Sequence, residues 1–300
     1  MWVRGFGAHP AEPAAYRVGF GAHPAEPVAY RMACYFAVRP PAEAEIRAPE
    51  FPARMRWLNV AFLRMDRLLG QSCVLVEFFD TARINSHRTL PYLQRWDSRY
   101  RDSGLRIIGV HAPGYSFGRD PAVVERAVDT LGIEHPVVLD PGFEIWRAYG
   151  NRGWPGRYLF DRRGLLRFMH YGEGEYRETE RAIGEVLLEL EPDLVLPEPL
   201  EPLRPEDEEG VLLEPQSADV ALPAERERLQ LVRDWIDGED YIEAADAGGA
   251  ATVEFTAGGA WAVLSGPVAP GLYESDGTVV ATEPGLRLHG FQFTALPPRA

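Results

Sequence analysis

The residues able to do chemistry in this chain are few, and their spacing rules out most of that chemistry. Cys34 and Cys73 are the only cysteines; two unclustered thiols make neither a disulfide framework nor a zinc site. Of the seven histidines, none forms a His-Glu-Xaa-Xaa-His run or a close pair on a helix face, so no metal is expected. A Gly-Lys phosphate loop is impossible, because every cation in the chain is arginine. The Gly-Xaa-Gly pairs at Gly5/Gly7 and Gly19/Gly21 lack the preceding strand that a dinucleotide site needs, and no cofactor is expected. Asp80, Ser86 and His111 supply the residue types of a hydrolytic triad. Ser86, however, has none of the flanking glycines that build a strained nucleophile elbow, so the pattern does not support hydrolysis.

The apolar periodicity shows which elements carry these residues. Cys73–Phe79 is short, β-branched and aromatic and follows Gly70, which reads as a buried strand. Leu90, Leu93, Trp96 and Tyr100 recur at spacings of three and four and predict a helix over 86–101. Leu105–His111 reads as a second strand. Pro121 suits the first turn of a helix bearing Val123, Val124, Ala127 and Leu131. A short strand at 136–139 and a helix around 144–149 follow. Strands at 157–161 and 165–171 then flank a tight hairpin at Arg162-Arg163-Gly164. Ile183, Val186, Leu187 and Leu190 mark a last helix over 176–190. This order predicts an α/β unit whose sheet has parallel members and ends in an antiparallel hairpin.

The flanks read differently. Gly5–Arg17 recurs as Gly19–Arg31 with a period of 14 residues, Val28 replacing Ala14. Two such short copies cannot build a repeat fold, so residues 1–44 are expected to be a disordered leader, with Met32 as an alternative start. Residues 191–225 form an acidic, Pro-rich linker. Residues 226–300 carry short apolar runs (Thr252–Phe255, Trp261–Leu264, Leu286–Leu288, Phe291–Thr294) broken by Gly and Pro, which predicts a small β-rich module. The net charge of −14 argues against nucleic acid or an anionic membrane surface as a partner. No run approaches the roughly 18 apolar residues that span a bilayer, and no apolar signal core follows Met1. A cytoplasmic location is expected.

Several runs, in order, resemble the thioredoxin-like domain of the TlpA/DipZ-type redoxin group of thiol–disulfide oxidoreductases. They are Trp57-Leu58-Asn59, Val76-Glu77-Phe78-Phe79, Arg88-Thr89-Leu90-Pro91-Tyr92-Leu93 and Ile108-Gly109-Val110-His111-Ala112-Pro113. Downstream come Tyr149-Gly150-Asn151-Arg152-Gly153-Trp154-Pro155, Tyr158-Leu159-Phe160-Asp161 and Tyr171-Gly172-Glu173-Gly174-Glu175-Tyr176. The resemblance covers about half the chain and implies a thioredoxin fold over 45–190. Its chemistry needs Cys-Ile-Asn-Cys at a helix N-terminus, where the dipole and free amides lower a thiol's pKa. Here that stretch is Arg83-Ile84-Asn85-Ser86. Neither residue can form a thiolate, so disulfide exchange cannot occur at this position.

The resemblance further implies that Trp154-Pro155 is the cis-proline loop facing the active-site helix. It implies that Glu77 is a relict proton shuttle, free to pair with Arg83 or another arginine. Acidic residues would be expected near 114 and 118, where the chain has Gly114 and Gly118. Cys73, at the far end of its strand, reads as a buried structural thiol. The resulting expectation is a redox-inactive thioredoxin-fold binding or scaffold module. Arg83, Ile84, Asn85, Ser86, His111, Trp154 and Pro155 would line a groove for an acidic or extended peptide, or for another protein. The alternative is a thiol–disulfide or peroxide-handling enzyme that uses Cys34 or a partner's thiol.

Overall fold

The computed structural model describes Arg39 and residues 45–296. The tandem repeat, Met32 and Cys34 lie outside the described residues. Arg39 ion-pairs with Glu178 and Glu185.

The first unit runs β1 (Trp57–Leu58), α1 (Met65–Leu68), β2 (Cys73–Phe79), α2 (Ile84–Tyr100), β3 (Leu105–His111), α3 (Pro121–Thr130), β4 (Val137–Leu139), α4 (Glu144–Ala148), β5 (Gly156–Phe160), β6 (Leu166–Tyr171) and α5 (Tyr176–Leu190). These strands form one sheet in the order β1-β4-β3-β2-β5-β6. The central β2 is parallel to β3 and antiparallel to β5, and all seven of its residues are buried. Its side chains alternate between two cores. Cys73 and Leu75 pack with Trp96 of α2 and Ile183 of α5; Val74, Val76 and Phe78 pack with Met65 and Ile145. The two-residue β1 pairs antiparallel with the outer edge of β4 and is too short to be found by periodicity. This mixed sheet flanked by helices is the thioredoxin fold.

Residues 191–207 contain no α-helix or strand but are not loose. Leu194, Leu196, Leu200 and Leu203 pack on the face shared by α2 and α5. Gly184 of α5 makes this possible: a Cβ there would meet Leu196 Cδ1 at 2.9 Å. The Leu200 amide donates to Glu180 at 2.8 Å. Further along, Glu206 bonds Arg88, and Asp207 accepts from Tyr92.

The second unit begins at β7 (Val220–Ala221), earlier than the sequence suggests. It continues through β8 (Leu229–Val232), β9 (Trp235–Asp237), β10 (Ile242–Ala244), β11 (Ala250–Val253), β12 (Gly259–Ser265), β13 (Gly271–Ser275), β14 (Thr278–Val280) and β15 (Arg287–Thr294). One sheet has the order β13-β12-β15-β10-β9 with β7 on β15; the other is β14-β11-β8. Between them lie Trp235, Ile242, Leu288, Phe291 and Phe293. Most of two expected apolar runs falls in one strand, β15, whose ladder on β12 continues from Leu288 to Gly290 through a register shift that leaves His289 unpaired. A Cβ at Gly290 would lie 2.2 Å from the Val220 carbonyl, so only glycine lets β7 pair there. Among the described residues no helix is long and apolar enough to cross a membrane.

Candidate functional site

In the sheet register, Phe79 of β2 pairs with His111 of β3, and Phe78 pairs with Gly156 of β5. Three distant loops therefore meet at one sheet edge: 80–83, 112–117 and 153–155. Asp80 organises the first. Its carboxylate accepts from the Ala82 amide at 2.9 Å, an Asx turn, and from the Gly114 amide at 2.6 Å. His111 Nε2 stands 3.7 Å from it and 3.3 Å from Thr81 Oγ1. Burial pushes the Asp80 carboxyl up, but His111, the Arg83 charge and the Ala82 amide outweigh it and hold it below its ordinary value. Ser86 is buried, and its hydroxyl accepts from the Asp80 amide at 3.2 Å. That contact occupies the serine in holding the loop.

The guanidinium of Arg83 lies 5.0 Å from the ring centroids of both Tyr115 and Trp154, within cation–π range of each. Trp154 is fixed by its indole N–H, which donates to the Ala112 carbonyl at 2.9 Å, and the Trp154–Pro155 bond is cis. Gly114 is the floor of this arrangement. A Cβ there would meet Asp80 Oδ2 at 2.7 Å and Arg83 Nε at 3.0 Å. The glycine that departs from the family pattern is thus what lets an arginine lie across the loop. Gly114→Ala is expected to cost about 1–3 kcal/mol by overpacking. Denaturant titration in a double-mutant cycle with Arg83→Ala should give a coupling of about 0.5–3 kcal/mol. Strict additivity would show that the guanidinium does not rest on Gly114.

Glu77 is not Arg83's partner. It projects into the other core, opposite Arg157 on β5. Both are essentially inaccessible, and neither Glu77 oxygen has a hydrogen-bond partner. Burial pushes the Glu77 carboxyl up to about 8, against the opposing pull of Arg157. Arg157 instead donates to Thr179 Oγ1 at 3.0 Å and to the Gly174 carbonyl. Cys73 is sealed at the opposite strand end, some 20 Å from Phe79 at about 3.3 Å per residue. Its thiol donates to the Val186 carbonyl, and burial pushes its pKa up to about 11. Arg88, on α2, is also mostly covered. It joins Glu173 at 2.6 Å and Glu206 at 2.7 Å.

The expected groove is not open to an extended peptide, because the β module sits on it. Ile84, Ser86, His111 and Pro155 are buried, while Arg83, Asn85 and Trp154 are half-buried. Gln292 of β15 reaches across: its Oε1 accepts from the Ile84 amide at 2.7 Å. Its Nε2 donates to the Ala82 carbonyl at 2.7 Å and to the Tyr115 hydroxyl at 2.9 Å. Beside it, Asp240 accepts from the Ser116 amide at 2.6 Å and from its hydroxyl at 2.8 Å. The rings of Tyr115 and Phe117 stand edge-on to His289 at 5.7 and 4.9 Å. Asp219, half-buried, feels the Arg83 charge. Burial raises its carboxyl, while Arg83 and the Phe293 amide oppose that rise. Gln292, Tyr115, Asp219 and Asp240 carry no local sequence signal of this role; Gly114 and Gly118 are the local departures on this edge.

The fold defines a thioredoxin-class domain, with Arg83 and Ser86 at the start of the helix that follows its central strand. No family model matches the chain. Over 173 residues it is 35% identical to Protein DipZ of Mycobacterium bovis, covering 57% of this chain and 25% of DipZ. The thiol-disulfide oxidoreductase ResA of Halalkalibacterium halodurans is 27% identical over 159 residues, covering 53% of this chain and 84% of ResA. A thioredoxin-like protein solved in its oxidized form is 25% identical with a TM-score of 0.44, covering 48% of this chain and 97% of that one. The chain spans about a quarter of the length of the DipZ proteins it matches. Its α/β unit is similar in sequence to the thioredoxin-like part of these TlpA/DipZ-type proteins.

Proposed function

We propose that this is a redox-inactive thioredoxin-fold protein in which the α/β unit acts as a scaffold for the β module. The observation that supports it is the use made of the two redox positions. Ser86 ties down the Asp80 amide, and Arg83 lies between Tyr115 and Trp154 against the module. A protein partner would then dock on the combined surface of both units. An acidic peptide at Arg83 is the narrower form of this reading, and it must contend with Asp219, which already feels that charge.

Insulin reduction by dithiothreitol tests the proposal. The protein is expected to leave the rate at that of buffer, since a guanidinium and a hydroxyl supply no thiolate. Acceleration at thioredoxin-like rates that vanishes in Cys34→Ser would replace this reading with the oxidoreductase one.

A further inference from the structure

We propose that the backbone of Ala82 and Ile84 is a carboxamide-binding site, and that Gln292 fills it from within the chain, so that the β module plugs the Arg83–Ser86 loop. This extends the scaffold reading to what the site recognises. The first amides of a helix have no intrahelical acceptor, and a buried one needs a partner from elsewhere. Ile84 N–H is such an amide, and two residues earlier the Ala82 carbonyl points to the same side. A donor and an acceptor so placed match a carboxamide, which offers one of each in a single plane. Gln292 supplies that group with an unambiguous orientation, its oxygen on the N–H and its nitrogen on the carbonyl. The Tyr115 hydroxyl takes the second amide hydrogen at 2.9 Å. The side chain is only 1% exposed, so no water competes for these bonds.

The geometry excludes chance contact in two respects. Gln292 sits in the ladder of β15 opposite Trp261, which fixes the height of its side chain above the loop. The Ser116–Asp240 pair clamps the joint at a second point, in a different loop. Any peptide or side-chain amide approaching the loop must displace Gln292, and a folded protein must first lift the module.

Amide hydrogen exchange on the full chain reads the first half of the proposal. Ile84 is expected to be protected in the wild type and to exchange at least tenfold faster in Gln292→Ala. Leu90, deeper in α2, and Val263, in the module, should change less than twofold. Gln292→Glu keeps the acceptor for Ile84 but loses both donors, and should fall between. It also carries the test should Gln292→Ala fold poorly. An Ile84 amide that exchanges freely in the wild type, or is indifferent to both variants, overturns the site. The plug is read in a chain bearing Cys34→Ser, Arg83→Cys and Ser86→Cys, with dithiothreitol as the electron source. Iodoacetamide should alkylate the introduced thiols with and without Gln292→Ala, whereas insulin reduction should rise at least tenfold only when Gln292→Ala is added. An insulin rate unchanged by Gln292→Ala, whether high or at background, overturns the plug. Because Cys34 is absent from these chains, that outcome is separate from any activity of the native protein.

Discussion

Glu77→Gln is expected to stabilise this protein at pH 7 by up to about 3 kcal/mol and to flatten its stability against pH. The Glu77 carboxyl is buried without a hydrogen bond, and its pKa rises from 4.5 to about 8. Between those values the folded state holds a proton that the unfolded chain has released. Stability therefore falls as pH rises through the window, by about 1.4 kcal/mol per unit. The full contribution is present below about pH 4.5 and is lost by about pH 8. At pH 7 the 2.5 units above 4.5 amount to about 3 kcal/mol, which a neutral amide of the same shape does not forfeit. Urea titrations from pH 5 to 9 check both the offset and the slope. A wild-type profile that is flat, or that rises with pH across this window, would mean that Arg157 keeps Glu77 ionised.

The second large effect concerns Arg88. Its guanidinium is 14% exposed and bridges Glu173 and Glu206, which are 17% and 12% exposed. Arg204 donates to the Arg88 carbonyl at 3.0 Å and pairs with Asp207. Tyr92 accepts from the Leu203 amide and donates to Asp207. Removing one member of a mostly buried ionic cluster leaves its partners desolvated and uncompensated. Arg88→Ala is accordingly expected to cost about 3 kcal/mol and to free the segment that Glu206 holds. Limited proteolysis should then cut within 194–210 while the sheet stays resistant. A loss under about 1 kcal/mol with an unchanged digest would make this an ordinary surface pair.

The α/β unit was legible because its signals are local. The β2 run, the helix faces at three-and-four spacing and the Arg162-Arg163-Gly164 turn each sit within a dozen or so residues, and their strands and helices lie where the periodicity puts them. The residue types at Arg83 and Ser86 were equally local. What covers those residues was not. Gln292 meets Ile84 across 208 positions of sequence, and Ser116 meets Asp240 across 124. No periodicity encodes such a meeting, and a polar residue on a strand reads as solvent-facing until the other unit is placed beside it. The acidic segment misleads for a related reason. Its Pro and Glu content resembles that of a flexible tether, yet every few residues a leucine reaches α2 and α5.

That segment also changes where the molecule can be cut. The leucine-lined seam along α2 and α5 is closed by Leu194, Leu196, Leu200 and Leu203, and is locked at Glu206 and Asp207. A fragment ending at Leu190, where the last α-helix stops, would leave that seam facing water with Arg88 stripped of its partner Glu206. A piece that keeps this seam covered therefore extends through Asp207. The same holds for transplanting this unit into another chain: the graft must bring its own covering strip, because the two helices do not finish the surface they share.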